Sequence, residues 1–366
     1  FISDRSGFKH IYLYNLSGKL ERQLTKGDFD VAAFYDYDPA TGRCFYAAHD
    51  ESPLRTSICI SEKNGKVRRP TSPQGTPSAI LSKDKKYLLD TYSSLPPPPV
   101  VSLCRTSDGR SEKVLVDNAK LKEKTDALFS PKEFFTCPAA DGTPLNGWMV
   151  KPRHFDPAKK YPVIMYQYSG PGSQEVRDAW SIGLYPGAAF ESYLAEKCTY
   201  LKLGEIESAD QVAVAKWLAA QTYVDGERIG IWGWSFGGFN TLMSMSEGTP
   251  VFRAGVAVAA PSNWKYYDTI YTERYMRTPK ENAEGYAINP INRAPQLHGD
   301  LLLIHGTADD NVHFRNFTEV SEAYVQNMKL FRQQVYTNRN HFIMGGQTRL
   351  HLMRTISDFF KEKLRP

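Results

Sequence analysis

The segment Gly233-Trp234-Ser235-Phe236-Gly237-Gly238 constrains this chain more than any other, because it fits Gly-x-Ser-x-Gly and is flanked by the elements that pattern needs. Upstream, Arg228-Ile229-Gly230-Ile231-Trp232 reads as a short buried strand, and downstream Phe239 to Met245 reads as the start of a helix. A serine on so sharp a strand-to-helix turn is forced into a strained backbone that lifts its hydroxyl above the sheet. Glycines beside it let helix and strand approach. Ser235 is therefore a candidate nucleophile. A glycine-rich turn without chemistry fits the same six residues, so the reading turns on whether an acid and then a histidine follow.

Both do. Leu301-Leu302-Leu303-Ile304 is an apolar run bounded by Gly299 and Gly306, as suits a strand buried on both faces of a parallel sheet. Asp309 and Asp310 come just past it, at the strand end where open α/β sheets place their chemistry. An aspartate there can orient a histidine or simply cap a helix. Phe331 to Tyr336 reads as the last strand, Thr337-Asn338-Arg339-Asn340-His341 as a loop, and about Thr348 to Leu364 as a long amphipathic helix. Of the eight histidines, only His341 lies between a last strand and a last helix. His305 closely follows the Leu301 strand and reads as a packed or hydrogen-bonded turn residue; His313 and His351 are placed less well. A serine hydroxyl needs an imidazole to take its proton, and the imidazole needs a carboxylate to hold its tautomer. Ser235, Asp309 and His341 meet that need.

With 366 residues the chain exceeds one typical core and allows two domains. A net charge of +5, scattered along the sequence, argues against a nucleic-acid partner, and the densest basic cluster, Lys66-Val67-Arg68-Arg69, reads as a solvated turn. No apolar run approaches the length of a membrane span, and no signal peptide opens the chain, which starts inside a strand pattern at Phe1-Ile2-Ser3. The expectation is a fragment of a longer protein. Cys44, Cys59, Cys104, Cys137 and Cys198 are odd in number and lack any Cys-x-x-Cys pairing, so neither a metal site nor a dense disulfide framework is expected.

The first 125 or so residues repeat a strand-hairpin-strand unit. Ile11-Tyr12-Leu13-Tyr14 with Gly18, Ser57-Ile58-Cys59-Ile60 with Gly65, and Val101-Ser102-Leu103-Cys104 with Gly109 recur at about 45 residues, the spacing of four-stranded propeller blades. Phe34 to Tyr37 and Ala79 to Leu81 supply further strands, and Leu95-Pro96-Pro97-Pro98-Pro99 reads as a rigid connection between blades. Two or three blades fit, fewer than close a propeller. From about Phe134 strands alternate with helices: Gly147 to Val150, Pro162 to Tyr166, a helix from Ser208 to Gln221, the elbow strand, and Ala254 to Ala259. That is a doubly wound α/β domain.

With these pieces in place the chain resembles the prolyl oligopeptidase group of serine peptidases, and within it the dipeptidyl peptidase IV subfamily, bacterial members especially. The residues carrying the resemblance are Gly233 to Gly238, Tyr266-Tyr267-Asp268 with Tyr271-Thr272-Glu273-Arg274-Tyr275-Met276, and His305-Gly306-Thr307-Ala308-Asp309-Asp310-Asn311-Val312-His313. The resemblance implies an α/β-hydrolase catalytic domain over residues 126–366, preceded by part of a β-propeller over residues 1–125. It selects Asp309 over Asp310 as the acid and supports His341. It implies an oxyanion hole from the hydroxyl of Tyr168 and the backbone N–H of Phe236, and a proline-side-chain pocket from Trp264, Tyr267 and Tyr271 with Val312 on another wall. Spacing puts Tyr267 and Tyr271 on one helix face, which fits ordinary core packing equally well. Asn311 would bond the carbonyl before that proline.

What the resemblance implies is a serine exopeptidase that releases amino-terminal dipeptides after proline or alanine through an acyl-enzyme, needing no metal or cofactor, in an exported or periplasmic homodimer. A prolyl tripeptidyl or acylaminoacyl peptidase, an esterase on the same fold, and a catalytically silent binding module stay open. Two departures stand out. The family anchors the substrate amine with paired glutamates on a propeller loop, and no Glu-Glu occurs in this chain; that loop would precede Phe1. A strand and glycine-rich loop of roughly 20 residues are also expected near Lys197-Cys198, where the alternating βαβ layout needs a crossover. There, Thr199 to Leu203 passes for a strand by alternation, and loss of the expected stretch would leave the elbow strand poorly supported.

Overall fold

The structure, a computed structural model, describes residues 1–72, 74–95, 97–171, 173–180 and 199–365. The stretch near Lys197-Cys198, Cys198 included, lies outside the described residues. The chain forms two compact units. One holds Phe1–Phe135, Trp148–His154 and the segment from Gln174; the other holds Thr136–Gly147, Phe155–Ser173 and the described residues from Thr199 onward.

The first unit is built from antiparallel sheets. Strands β1 (Ile2–Ser3), β2 (His10–Tyr14) and β3 (Leu20–Gln23) form one, and β4 (Val31–Asp38), β5 (Arg43–Ala48), β6 (Ser57–Ser61) and β7 (Val67–Arg68) form the next. A third contains β8 (Ser78–Leu81), β9 (Tyr87–Tyr92), β10 (Val100–Arg105) and β11 (Ser111–Val116), each strand paired with its neighbour in sequence. The repeated hairpins of the sequence are β2–β3, β6–β7 and β10–β11, the last two strands of each sheet. The proline run joins β9 to β10, which pair antiparallel from Val100 opposite Tyr92 to Arg105 opposite Tyr87. It is therefore a connection within one sheet and not between two. Strands β5 and β9 escaped the period-two reading: Cys44 to Ala48 are all buried, so β5 has no polar face to alternate with. Helix α1 (Ala119–Leu128) follows, with none of its residues buried.

After the hairpin of β12 (Lys132–Pro138) and β13 (Pro144–Val150), whose residues divide between the two units, the chain enters the five-stranded sheet of the second unit. Its members are β14 (Tyr161–Tyr166), β15 (Val224–Trp234), β16 (Ala254–Val258), β17 (Asp300–Gly306) and β18 (Arg332–Tyr336), in that order and all parallel. The helices between them are α2 (Glu205–Ala219), α3 (Phe236–Ser244), α4 (Thr269–Met276), α5 (Ala283–Ala287), α6 (Arg315–Gln326) and α7 (Thr348–Lys363). Ile229 to Trp234 are all but fully buried, as a central strand covered on both faces requires. The helix α7 comes so close that a Cβ on Gly230 would lie 2.6 Å from the ring of Phe360. The elbow strand β15 is hydrogen-bonded along both edges, to β14 and to β16, so it is not poorly supported. Among the described residues β14 is the edge strand, with Ile164 about half exposed.

Thr199 to Leu203 is helical at Thr199 and mostly turn backbone from Tyr200 onward, and not a strand. Leu201 sits at φ 70° and its N–H bonds the carbonyl of Tyr275, which takes the segment out of any sheet. Gly204 follows at φ 96° and starts α2 three residues earlier than the hydrophobic periodicity predicts, because Glu207 reaches back to accept its N–H at 2.9 Å. Glu207 is buried, and burial raises its carboxyl from the ordinary 4.5 to about 8. A raised acid binds its proton more tightly folded than unfolded. The stability it confers is thus complete below about pH 4.5 and declines as pH rises toward 8, by up to about 1.4 kcal/mol per pH unit. Glu207→Gln keeps an acceptor for Gly204 and removes the titration. Thermal melting at pH 5, 6.5 and 8 should show a shallower decline for the variant, and parallel curves would refute this role for Glu207.

Candidate active site

The register of the parallel sheet brings five carboxyl ends to one edge: Tyr166 lies opposite Trp232, Trp234 opposite Val258, Val258 opposite Ile304, and Gly306 opposite Tyr336. The residues singled out in the sequence follow those ends. Tyr168 comes after β14, Ser235 after β15, Trp264 after β16, Asp309 after β17 and His341 after β18. This is the edge at which open α/β sheets gather their ligands, since it is where successive loops converge.

Ser235 has φ 57° and ψ −120°, a backbone conformation that a residue with a side chain rarely adopts. Its N–H is tied to the carbonyl of Val258 at 2.8 Å and its carbonyl accepts from Phe239 at 3.0 Å, so the strain is held from both sides. Every residue of α3 is buried, whereas Ser235 itself is partly exposed. A Cβ on Gly233 would lie 2.4 Å from the backbone of Gly237, and one on Gly238 would lie 2.8 Å from the carbonyl of Val258. The turn closes only with glycine there.

Asp309 is buried and accepts three hydrogen bonds, with a second histidine close by. Oδ1 takes the backbone N–H groups of Asn311 (3.0 Å) and Val312 (2.8 Å). Oδ2 takes His341 Nδ1 at 2.8 Å and lies 3.3 Å from His305 Nε2. Burial alone would raise this carboxyl, but the donors from His305 and His341 outweigh it and hold it well below the usual carboxylate range. Asp310 is exposed and bonds neither histidine, so Asp309 is the aspartate paired with His341. With Nδ1–H given to Asp309, Nε2 is the acceptor end of the His341 ring. The loop carrying His341 is fixed by Asn338 N–H on Thr307 Oγ1 (2.9 Å) and Ala308 N–H on the Arg339 carbonyl (3.1 Å). Trp234, next to Ser235, donates its indole N–H to the carbonyl of His341 at 3.0 Å. Among the described residues no hydrogen bond joins Ser235 Oγ to the imidazole; bonds of this kind commonly tighten only when substrate is bound.

His305 lies inside β17 and not in a turn. It is 1% exposed, with Nε2 bonding the Val312 carbonyl at 2.8 Å as well as facing Asp309. That it is hydrogen-bonded agrees with the sequence reading; that it faces the acid does not follow from spacing. His351 instead bonds Tyr336 Oη at 2.8 Å, and His313 is exposed.

Tyr168 packs against Phe236, the first residue of α3, with ring centroids 6.0 Å apart. The N–H of Phe236 belongs to the first turn of that helix and has no intrahelical acceptor. Beyond Phe236 lies an aromatic cluster. Trp264 is 5.3 Å from Phe236, 5.8 Å from Tyr267 and 5.9 Å from Tyr271, and the last two rings meet edge-to-face at 5.6 Å. Tyr267 and Tyr271 do not share a helix face. Asp268 caps α4 by accepting the N–H of Tyr271 at 2.8 Å, so Tyr267 lies before the helix and only Tyr271 within it. The rings meet because the cap turns the chain. Tyr267 Oη donates to Asn311 Oδ1 at 2.9 Å, leaving the Asn311 amide NH2 as its donor end, and Val312 is fully buried beside it. Next to these, Phe342, 55% exposed, helps line a hollow of about 460 Å3 with Tyr267, Asp310, Asn311 and His341.

Residues 187–366 match the family model described as the prolyl oligopeptidase family, and residues 1–99 match that of the dipeptidyl peptidase IV N-terminal region. A probable dipeptidyl-aminopeptidase B of Neosartorya fischeri is 32% identical over 97% of this chain and 41% of its own length. A dipeptidyl peptidase 4 of Trichophyton equinum is 34% identical over 88% of this chain and 45% of its own. The crystal structure of Porphyromonas gingivalis dipeptidyl peptidase 4 superposes with a TM-score of 0.92 at 41% identity, covering 99% of this chain and 54% of that one. A putative dipeptidyl aminopeptidase IV from Bacteroides ovatus gives 0.88 at 31% identity, covering all of this chain and 57% of that one. The chain therefore spans about half the length of the relatives it matches. It joins a propeller region to an α/β-hydrolase domain, and it belongs to the prolyl oligopeptidase family of serine peptidases, in its dipeptidyl peptidase IV branch.

Proposed function

We propose that this chain carries the catalytic half of a serine exopeptidase that releases dipeptides from the amino terminus of peptides with proline or alanine as the second residue. The observation that carries the reading is the buried Asp309–His341 pair, 2.8 Å apart, at the sheet edge that also holds the strained Ser235. In this reading Ser235 Oγ attacks the scissile carbonyl carbon while His341 Nε2 takes its proton. The C–N bond then breaks, the imidazolium returns the proton to the leaving amine, and an ester on Ser235 remains. Water attacks that ester by the same route and restores the serine. Asp309 holds the Nδ1–H tautomer and stabilises the imidazolium, and Tyr168 Oη with the Phe236 N–H receives the negative oxygen.

The rings of Trp264, Tyr267 and Tyr271 suit a flat pyrrolidine, which brings no N–H that would need an acceptor in that pocket. Alanine is small enough for the same space. Tyr267 Oη engages Asn311 Oδ1, which leaves the Asn311 amide NH2 to donate to the carbonyl before that proline or alanine in this reading. The test uses the full-length protein with glycyl-prolyl, alanyl-alanyl-prolyl and N-acetyl-prolyl p-nitroanilides, together with a fluorophosphonate label mapped by peptide mass. Release from the first substrate and a label on Ser235 are expected. Preference for the second or third overturns the dipeptidyl assignment, and a folded protein that takes no label overturns the peptidase reading in favour of a binding module.

A further inference from the structure

We propose that Gln167 is the positioning residue for Tyr168, locking the oxyanion side of the site to the nucleophile turn. This rests on the reading of Tyr168 as an oxyanion donor. Gln167 is the residue between the end of β14 and Tyr168, and it is buried. Its side-chain amide is bonded at both ends to groups of the opposite wall. Nε2 donates to the carbonyl of Gly237 at 2.8 Å and to Thr241 Oγ1 at 3.1 Å, both on α3, the helix that Ser235 opens. Oε1 accepts from Asn240 Nδ2 at 3.1 Å, also on α3, and from Ser169 Oγ at 3.0 Å.

The backbone of Gln167 is held just as closely. Its N–H bonds the carbonyl of Trp232 at 3.3 Å. Its carbonyl lies where a Cβ on Gly237 would come within 2.4 Å and one on Gly233 within 2.7 Å. On the other side of Tyr168, Ser169 sits at φ 63°, a costly conformation for serine, and its Oγ is caught between Gln167 Oε1 and Gln211 Nε2 (3.2 Å). Both residues flanking Tyr168 are thus tied, one of them directly and the other through the same amide. An oxyanion donor stabilises a transition state only if it is already aimed when charge develops, so a residue that fixes its backbone acts on kcat and leaves substrate affinity nearly alone.

The experiment is a double-mutant cycle in the full-length protein, with glycyl-prolyl p-nitroanilide as substrate. Gln167→Met, which keeps length and loses all four bonds, should lower kcat about tenfold and change KM less than twofold. Tyr168→Phe should lower kcat about 100-fold. In the Tyr168→Phe background Gln167→Met should then cost less than twofold, because the group it positions is gone. Ser169→Ala, which leaves the buried Gln167 bonds to α3 intact, serves as a second variant less prone to unfolding; it should cost about threefold alone and nothing in the same background. Equal costs in the two backgrounds would mean that these residues support the fold only, and would overturn the inference while leaving the functional reading standing. An unmodified protein that neither cleaves the substrate nor takes the fluorophosphonate label would overturn both.

Discussion

Replacing Asp309 by asparagine should lower kcat/KM by about four orders of magnitude while the protein melts within a few degrees of the parent. The size of the effect follows from which way the new amide must point. At Oδ1 two backbone N–H groups, of Asn311 and Val312, converge at 3.0 and 2.8 Å and demand an acceptor. The asparagine oxygen is therefore pinned there and the NH2 is left in the place of Oδ2, facing His341 Nδ1 and His305 Nε2. Nδ1 can meet an N–H donor only as an acceptor, so the proton moves to Nε2, the atom that takes the proton of Ser235 in the proposed mechanism. The wrong tautomer blocks the first step, and an imidazolium formed at any later stage has lost its counter-charge.

In the parent the carboxylate persists far into acid. Its folded value lies below the ordinary 3.8, so the stability gained from its donors is present above about pH 4 and is lost as pH falls below it. The variant should lack that acid-side loss. The comparison is kcat/KM on a dipeptidyl substrate and melting from pH 3 to 7; an effect under tenfold would show that Asp309 is not the partner His341 depends on.

The candidate triad could be named from the sequence because each proposed member is announced by local pattern: glycines around a serine, an apolar run ending before an aspartate, and a histidine alone in the last loop. The parallel sheet was legible for the same reason, since residues 229–234 of β15, the whole of β16 and residues 301–304 of β17 are continuous apolar runs. What the pattern did not carry were relations across the chain. His305 reads as a packed residue until β17 is seen to aim it at Asp309, and Gln167 is one polar residue after a strand until three bonds tie it to the nucleophile helix and a fourth to Ser169. The pairing of Tyr267 with Tyr271 was anticipated for the wrong reason. The rings meet through a cap at Asp268 and not through a shared helix face, a distinction that depends on one backbone hydrogen bond. Proline runs mislead in a similar way. Between β9 and β10 they make a stiff loop inside a sheet, whereas composition alone suggested a boundary.

Gly237→Ala should cost about a thousandfold in kcat with Ser235, His341 and Asp309 all untouched, a loss of about 4 kcal/mol from one methyl group. Alanine is otherwise the best helix former, and position 237 is the second residue of α3, so local propensity favours the change. Sterics decide against it. The added Cβ would lie 2.4 Å from the carbonyl oxygen of Gln167 and 3.1 Å from the Cα of Tyr168. Backbone cannot swing aside as a side chain does, and in a close-packed interior the strain moves either the β14 exit loop or the α3 end of the turn. In the proposed mechanism one displacement carries Tyr168 away from the oxyanion, and the other carries Ser235 away from its base. Either takes the geometry beyond the tolerance of about half an ångström that preorganised catalysis allows. Because the rings of Trp264, Tyr267 and Tyr271, proposed above as the substrate pocket, lie on separate segments, KM should rise far less than kcat falls. Single-turnover kinetics with a fluorophosphonate label read the two displacements apart. Slow labelling of Ser235 marks a shifted nucleophile, and near-normal labelling with slow peptide cleavage marks a shifted Tyr168. A variant within tenfold of the parent would mean that the turn yields more readily than its packing indicates.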